Sequence, residues 1–262
     1  MRCLSVRIAT YNVNGVTARL QRLLEWLEET EPDVVCLQEL KTPDERFPAA
    51  ELEALGYGAV WRGQKSWNGV AILARGRPII ETRRKLPGES ADAQARYVEA
   101  AVDGVLIASL YAPNGNPVGS DRFEAKLRWY DRFASHAARL LESGAPVVLA
   151  GDYNIMPTDL DVYAPDRWRD DALFQPALKD TFAKLVAAGW TDALRSRHPD
   201  ERVYTFWKYL RNAYARDAGL RIDHLLLSPA AAARMRDVGV DRAWRGRPGA
   251  SDHAPVWVEL AD

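Results

Sequence analysis

The sequence predicts an α/β protein made of two mixed β-sheets packed face to face, with helices on the outside. Three observations carry that expectation. Residues 6–38 read as strand, helix, strand, the unit that sets two parallel strands side by side. Residues 57–111 hold successive strand-like stretches joined by tight turns, including Asp103-Gly104, and these are antiparallel hairpins. A purely parallel sheet is therefore excluded. Short apolar runs then end repeatedly on an acid or an amide, as in Val147-Val148-Leu149-Ala150-Gly151-Asp152-Tyr153-Asn154. A buried strand has no use for an unpaired carboxylate, so these ends are where the chemistry is expected.

The elements follow in order. Residues 6–14 are a strand running into a loop closed by Gly15. Residues 17–30 are a helix with Thr17 as its N-cap and a stripe of Leu20, Leu23, Leu24 and Leu27. Residues 34–37 are a buried strand that ends in Gln38-Glu39, and 48–55 a short helix. Strands are expected at 57–61, 69–74, 79–83, 96–102 and 105–111. A long amphipathic helix covers 120–143, burying Phe123, Leu127, Tyr130, Phe133, Ala134, Ala137 and Leu141. After the strand at 147–152, residues 155–176 are a loop with short helical pieces. A helix at 180–188 and strands at 204–207, 222–227, 238–242 and 256–260 complete the chain, with a short helical turn at 229–234.

Composition bounds the function. The chain has 262 residues, 47% hydrophobic and 27% charged, and a single domain over 1–262 is expected. No apolar run reaches the length of a membrane span. The apolar stretch at 3–9 is short and interrupted by Arg7, so it reads as a first strand and the protein as cytoplasmic. Cys3 and Cys36 both sit in apolar runs, as small buried hydrophobes do. No Cys/His cluster has zinc spacing, and four histidines exclude a His-rich metal site. The net charge of −1 does not announce a nucleic-acid binder. Thirty-five Lys and Arg can still gather on one face, and a cation can cancel the field of clustered acids.

The strand-end polar residues are Asn12, Glu39, Tyr111, Asp152, Asn154, Asp223, Asp252 and His253. Asp152 and Asn154 are two apart and face the same way on an extended chain. Carboxylates and amide oxygens are hard ligands suited to Mg²⁺ or Mn²⁺, and magnesium needs only one or two of them. The remaining groups are free for proton transfer. Each residue also has an ordinary reading: Asp-x-Asn after a strand is a turn, and Asp-His before one is a cap. Their joint occurrence at so many strand ends is what argues for phosphodiester hydrolysis.

Six ordered motifs then resemble one family. They are Asn12-Val13-Asn14-Gly15, Leu37-Gln38-Glu39-Leu40-Lys41, Tyr111-Ala112-Pro113-Asn114, Gly151-Asp152-Tyr153-Asn154, Leu220-Arg221-Ile222-Asp223-His224 and Ser251-Asp252-His253-Ala254-Pro255-Val256. Together they resemble the exonuclease III family of apurinic/apyrimidinic endonucleases, within the endonuclease/exonuclease/phosphatase superfamily. The resemblance implies a four-layer α/β sandwich. It implies a Mg²⁺-dependent nuclease of DNA repair, with Mn²⁺ able to substitute. That enzyme cuts the phosphodiester 5′ to abasic sites and carries 3′→5′ exonuclease and 3′-phosphatase activity. Its partner would be double-stranded DNA with abasic sites or blocked 3′ ends, bound by a monomer.

The resemblance also implies roles. Tyr111, Asp152, Asn154, Asp223 and His253 would be catalytic. Glu39 would be the principal metal ligand, with Asn12, Asp152, Asn154, Asp252 and His253 around the ion. Asp152 would handle the proton, Asn154 hold the water, and Asp223 orient His253. Asn114, Phe206, Trp207, Leu220 and Ile222 would meet the abasic nucleotide. Arg96 and Lys126 would contact the backbone, alongside Arg62, Lys65, Arg128, Arg211, Arg216 and Arg221. The 159–168 loop would wedge the duplex or limit exonuclease access. Two alternatives keep the fold: a phosphodiesterase acting on undamaged DNA or on a lipid or inositol phosphate, and a non-catalytic nucleic-acid-binding regulator.

Overall fold

A computed structural model describes residues 5–261. Among the described residues, twelve strands form two six-stranded mixed sheets. In the first sheet the order is β11 (Met235–Val240), β12 (Val256–Ala261), β1 (Ser5–Asn12), β2 (Val34–Gln38), β4 (Val70–Arg75) and β3 (Tyr57–Arg62). In the second it is β5 (Ile80–Arg83), β6 (Tyr97–Val102), β7 (Val105–Tyr111), β8 (Val147–Asp152), β10 (Asp223–Leu227) and β9 (Thr191–Asp192). β1 and β2 are parallel, as are β7 and β8, and the other pairs are antiparallel. The expected pair of mixed sheets is what forms.

Side-chain alternation explains the layers. Ile8, Cys36, Ile72, Ile107, Val148 and Leu225 point inward and fill the space between the sheets. The alternate residues point outward. Ala9, Tyr11, Val35 and Leu73 pack with Leu23, Trp26 and Leu27 of α1 (Leu20–Thr30) and Leu52 of α2 (Ala49–Ala54). Leu110, Leu149, Tyr153 and Leu226 pack with Phe123, Tyr130 and Phe133 of α3 (Asp121–Glu142) and Phe182 of α4 (Pro176–Ala187). Helix, sheet, sheet, helix is the four-layer sandwich. Cys36 is buried and free; Cys3 lies outside the described residues.

Several elements differ from expectation for identifiable reasons. α1 starts at Leu20 and not at Thr17, and no side chain caps it. The backbone of Gly15 and Val16 instead donates to Glu39 and Leu40, so the chain hugs the end of β2 before it can turn helical. Residues 204–207 are no strand: only Phe206 bridges, to Leu220 and His253. α4 begins at Pro176, where a proline suits the first helical turn. β9 and the short helices α5 (Ala193–Arg197) and α7 (Arg242–Arg245) carry too few residues to show a period. The expected turn at 229–234 forms as α6 (Pro229–Ala232).

Candidate active site

Topology gathers the polar residues at one end of the sandwich. β1, β2, β7 and β8 all finish there, while β10 and β12, being antiparallel, begin there. Register fixes the neighbours: Asp152 stands opposite Tyr111 on one side and Asp223 on the other. Asn12 and Glu39 arrive from the facing sheet. The Asn12 amide nitrogen donates to Glu39 Oε1 and Asp152 Oδ2, both at 2.9 Å, stitching the two sheets together.

His253 precedes β12 and reaches across to the second sheet. Its Nδ1 lies 2.9 Å from Asp223 Oδ2, and its Nε2 lies 3.9 Å from Asp152 Oδ2. Thr205 donates its hydroxyl to Asp223 Oδ2 at 2.6 Å, so the orienting carboxylate is itself held. The Asn154 backbone donates to Asp152 Oδ1 at 2.9 Å, and the Asn154 amide donates to the Ala112 carbonyl. Glu39 and Asn154 both adopt left-handed backbone, φ 53° and 49°, a conformation non-glycine residues hold only when the surroundings demand it.

The electrostatics divide the groups. Burial raises the Asp152 carboxyl, the nearby Asp223 and Glu39 add to the rise, and the His253 cation only partly offsets it; the result is about 7. Burial alone would lower His253, but the Asp223 contact outweighs it and lifts the ring to about 10. Burial opposes ionisation of Glu39 too, yet the Asn12 amide and the Lys41 ammonium, 2.7 Å from Oε2, keep its pKa low. Tyr111 is pushed well up by burial and by the Glu39 and Asp152 charges, so its phenol stays a donor. The site therefore holds a fixed anion, a carboxyl poised near neutrality, a fixed cation and a hydroxyl.

Ligand atoms of Glu39, Asp152 and His253 lie within 4.8 Å of one another. Two carboxylates of this kind fit a small hard cation that keeps most of its waters. Asn12 fits that role less well than expected, because it turns its amide nitrogen, a donor, toward the carboxylates while its oxygen accepts from the Asn14 backbone. Asp252 lines the same pocket, its Oδ1 accepting from Asn14 at 2.9 Å.

One wall of this pocket is polar and the other apolar. Asn114, Phe206, Leu220 and Ile222 line it, and the Phe206 ring centroid is 4.8 Å from that of His253. Trp207 does not: it is buried among Tyr204 and Tyr214, and its indole donates to Asp217. Lys126 cannot reach a DNA backbone. It is fully buried and donates to the carbonyls of Asn114 and Asn154 at 2.9 and 2.7 Å. Burial lowers its pKa, against the pull of Asp152 and Asp171, to about 7. Arg221 is likewise buried, held by Asp161 and Asp192. Arg96 is half-buried, its guanidinium 4.8 Å from the Tyr111 ring centroid, while Lys65, Arg128, Arg211 and Arg216 are exposed. Sequence reasoning assigned no role to Lys41 or Lys208 and reached Trp168 only as the end of the 159–168 loop; all three line the pocket.

A two-sheet sandwich with paired carboxylates and an imidazolium at its strand ends defines a hydrolase. The chain belongs to the Endonuclease/Exonuclease/phosphatase family, whose model matches residues 9–253. It is 33% identical to Exodeoxyribonuclease III of Haemophilus influenzae over 97% of this chain and 100% of that protein. An AP endonuclease from Archaeoglobus fulgidus superposes with a TM-score of 0.94 at 32% identity, covering 98% of this chain and 100% of the other. The 3′ phosphatase NExo from Neisseria, bound to product DNA hairpin, superposes with a TM-score of 0.93 at 37% identity, covering 97% and 99%.

Proposed function

We infer that this protein is a DNA-repair nuclease that hydrolyses the phosphodiester 5′ to an abasic site in duplex DNA, and that it also removes nucleotides and phosphates from 3′ ends. The observation that carries this is the pocket itself. A carboxyl poised near pH 7 and an imidazolium stand 3.9 Å apart, beside an apolar wall of Phe206, Leu220 and Ile222. The polar side suits a phosphate, and the apolar side suits a sugar with no base. An abasic nucleotide is also the least costly to turn out of the stack.

Glu39 would hold the metal ion, which we take to be Mg²⁺ with Mn²⁺ able to replace it, leaving Asp152 for the proton. That ion supplies charge neutralisation for the phosphate. Asp152 accepts the proton of the attacking water, because its pKa matches the working pH. His253, kept charged by Asp223, donates from Nε2 to a phosphate oxygen, and a ring charged in this way is a poor metal ligand. The Tyr111 hydroxyl offers a second donor. Asn154 has one amide hydrogen committed to Ala112 and the other free for the water or the phosphate. Arg96, Lys65, Arg128, Arg211 and Arg216 would supply sequence-independent backbone contacts. A monomer suffices for this chemistry, and the likeness to a bacterial exodeoxyribonuclease supports a cytoplasmic placement.

Three substrates decide the matter: a duplex with one tetrahydrofuran abasic analogue, the intact duplex, and a lipid phosphodiester. Incision concentrated at the analogue is expected. Equal cutting of the intact duplex, or turnover of the lipid alone, would overturn the assignment.

A further inference from the structure

We propose that Trp168 is a specificity-determining residue, which closes the pocket against a nucleotide that still carries its base, and that the buried Asp161–Arg221 pair positions it. The inference rests on the abasic-site reading above and names what enforces it. Trp168 lies in the long connection between β8 and α4. Connections of this length without regular structure are uncommon unless they serve a function.

Four observations support the role. Trp168 lines the same pocket as Asp152 and His253. It is only 8% exposed and packs with Leu173, Leu220 and Ile222, so it is part of the apolar wall and not a free wedge. The Lys208 ammonium sits 4.5 Å from its ring centroid, and that contact favours one ring orientation. Finally, the loop is fastened in front of Trp168. Asp161 is fully buried; its Oδ1 accepts from Arg221 Nε and Arg195 Nη2, each at 2.6 Å, and its Oδ2 takes both the hydroxyl and the backbone N–H of Thr158 at 2.8 Å. Arg221 in turn grips Asp192 at 2.8 Å and donates its backbone N–H to Asp161. Arg221 stands between Leu220 and Ile222, two other wall residues. One buried guanidinium thus ties the loop-borne wall to the strand-borne wall.

A sugar without a base gains from a closed wall, whereas a base needs room at the sugar's C1′. Removing the indole gives up contacts with the first and makes space for the second. A hydrophobic pocket changed by one side chain shifts discrimination by roughly 10–200-fold.

The test uses Trp168→Ala and Asp161→Asn on three DNA substrates. These are the tetrahydrofuran duplex, a duplex with a normal 3′-terminal nucleotide, and a duplex ending in 3′-phosphate, whose removal needs the catalytic groups but not the wall. For Trp168→Ala, KM at the abasic analogue should rise about 10-fold with kcat within about 3-fold, and release of normal terminal nucleotides should increase. Removal of 3′-phosphate should stay within about 3-fold of wild type, showing that the fold and the catalytic groups are intact. Asp161→Asn should move the ratio the same way by less, with faster amide exchange across 155–176. If all three activities fall together in both variants, or the abasic-to-normal ratio stays at its wild-type value, the inference is wrong. A wild-type enzyme with no abasic preference would instead sink the functional assignment on which it rests.

Discussion

Asp223→Asn removes the charge that keeps His253 protonated while leaving a side chain of the same shape. Burial would lower the imidazole, but Asp223 at 2.9 Å, helped by Asp152, lifts it from 6.5 to about 10. At 1.36 kcal/mol per pH unit that lift is roughly 5 kcal/mol in favour of the charged ring. With an amide in place of the carboxylate, the largest rise is lost and burial draws the ring back toward its ordinary value. A raised pKa means the cation is present below it, so wild type keeps the charge up to about pH 10. The variant loses it as pH climbs past about 6.5. The ratio of wild-type to variant kcat/KM should therefore be at least about 10 at pH 7.5 and grow about tenfold per unit toward pH 9, on top of a constant factor for lost orientation. The assay is initial incision of the abasic-analogue duplex at saturating Mg²⁺ across pH 6–9. A ratio that stays flat over that range would refute the claim that Asp223 works by holding the charge.

The remaining expectations concern the other groups. Asp152→Asn should cost at least ~100-fold in kcat. It should also raise the melting temperature of metal-free protein at pH 8. The folded pKa of Asp152 is raised to about 7, so its ionisation weakens the fold as pH rises from about 4 to 7, by roughly 2–4 kcal/mol; a variant that melts lower would contradict this. Glu39→Gln should weaken Mg²⁺ binding at least ~10-fold by calorimetry, and unchanged affinity would remove Glu39 as the principal ligand. Burial opposes ionisation of Asp161, but Arg221 and Arg195 overcome it and hold the pKa far below the ordinary value. Its stabilising effect is thus present at neutral pH and lost as acid protonates it. The gap in urea midpoint between wild type and Asp161→Asn should be wide and constant at neutral pH and start to close only below about pH 4, as acid passes the unfolded carboxyl's pKa; a gap independent of pH down to the acid limit would deny the ion pair its role.

The strand-end residues were legible because chemistry there violates the strand pattern. A carboxylate after Val147-Val148-Leu149-Ala150, or an imidazole before Val256, has no reason to be there in a plain strand. Their convergence followed from topology, since parallel and antiparallel neighbours bring ends and starts to one edge. The errors came where burial overrode residue type. Lys126 is positively charged and so looked like a backbone contact. Yet it stands three after Phe123 and four before Tyr130, on the buried stripe of α3, where the carbonyls of Asn114 and Asn154 need a donor. That spacing was the available signal. Arg221 shares the fate, since Asp161 and Asp192 sit 60 and 29 residues away in the chain and no local pattern reveals such a pair. Trp207 and Phe206 are adjacent and equally aromatic, and only the bridge from Phe206 to His253 decides which one faces the site. Trp168 was legible only as part of the 159–168 loop, because a loop has no period to say which side chain turns inward.

One experiment tests the central claim most directly: cleavage of a duplex bearing a single tetrahydrofuran site, with Mg²⁺, with Mn²⁺ and with chelator. A single cut on the 5′ side of the lesion is expected with either metal, and none with chelator. Cleavage that survives chelation, or that falls with equal frequency at undamaged positions, would contradict it.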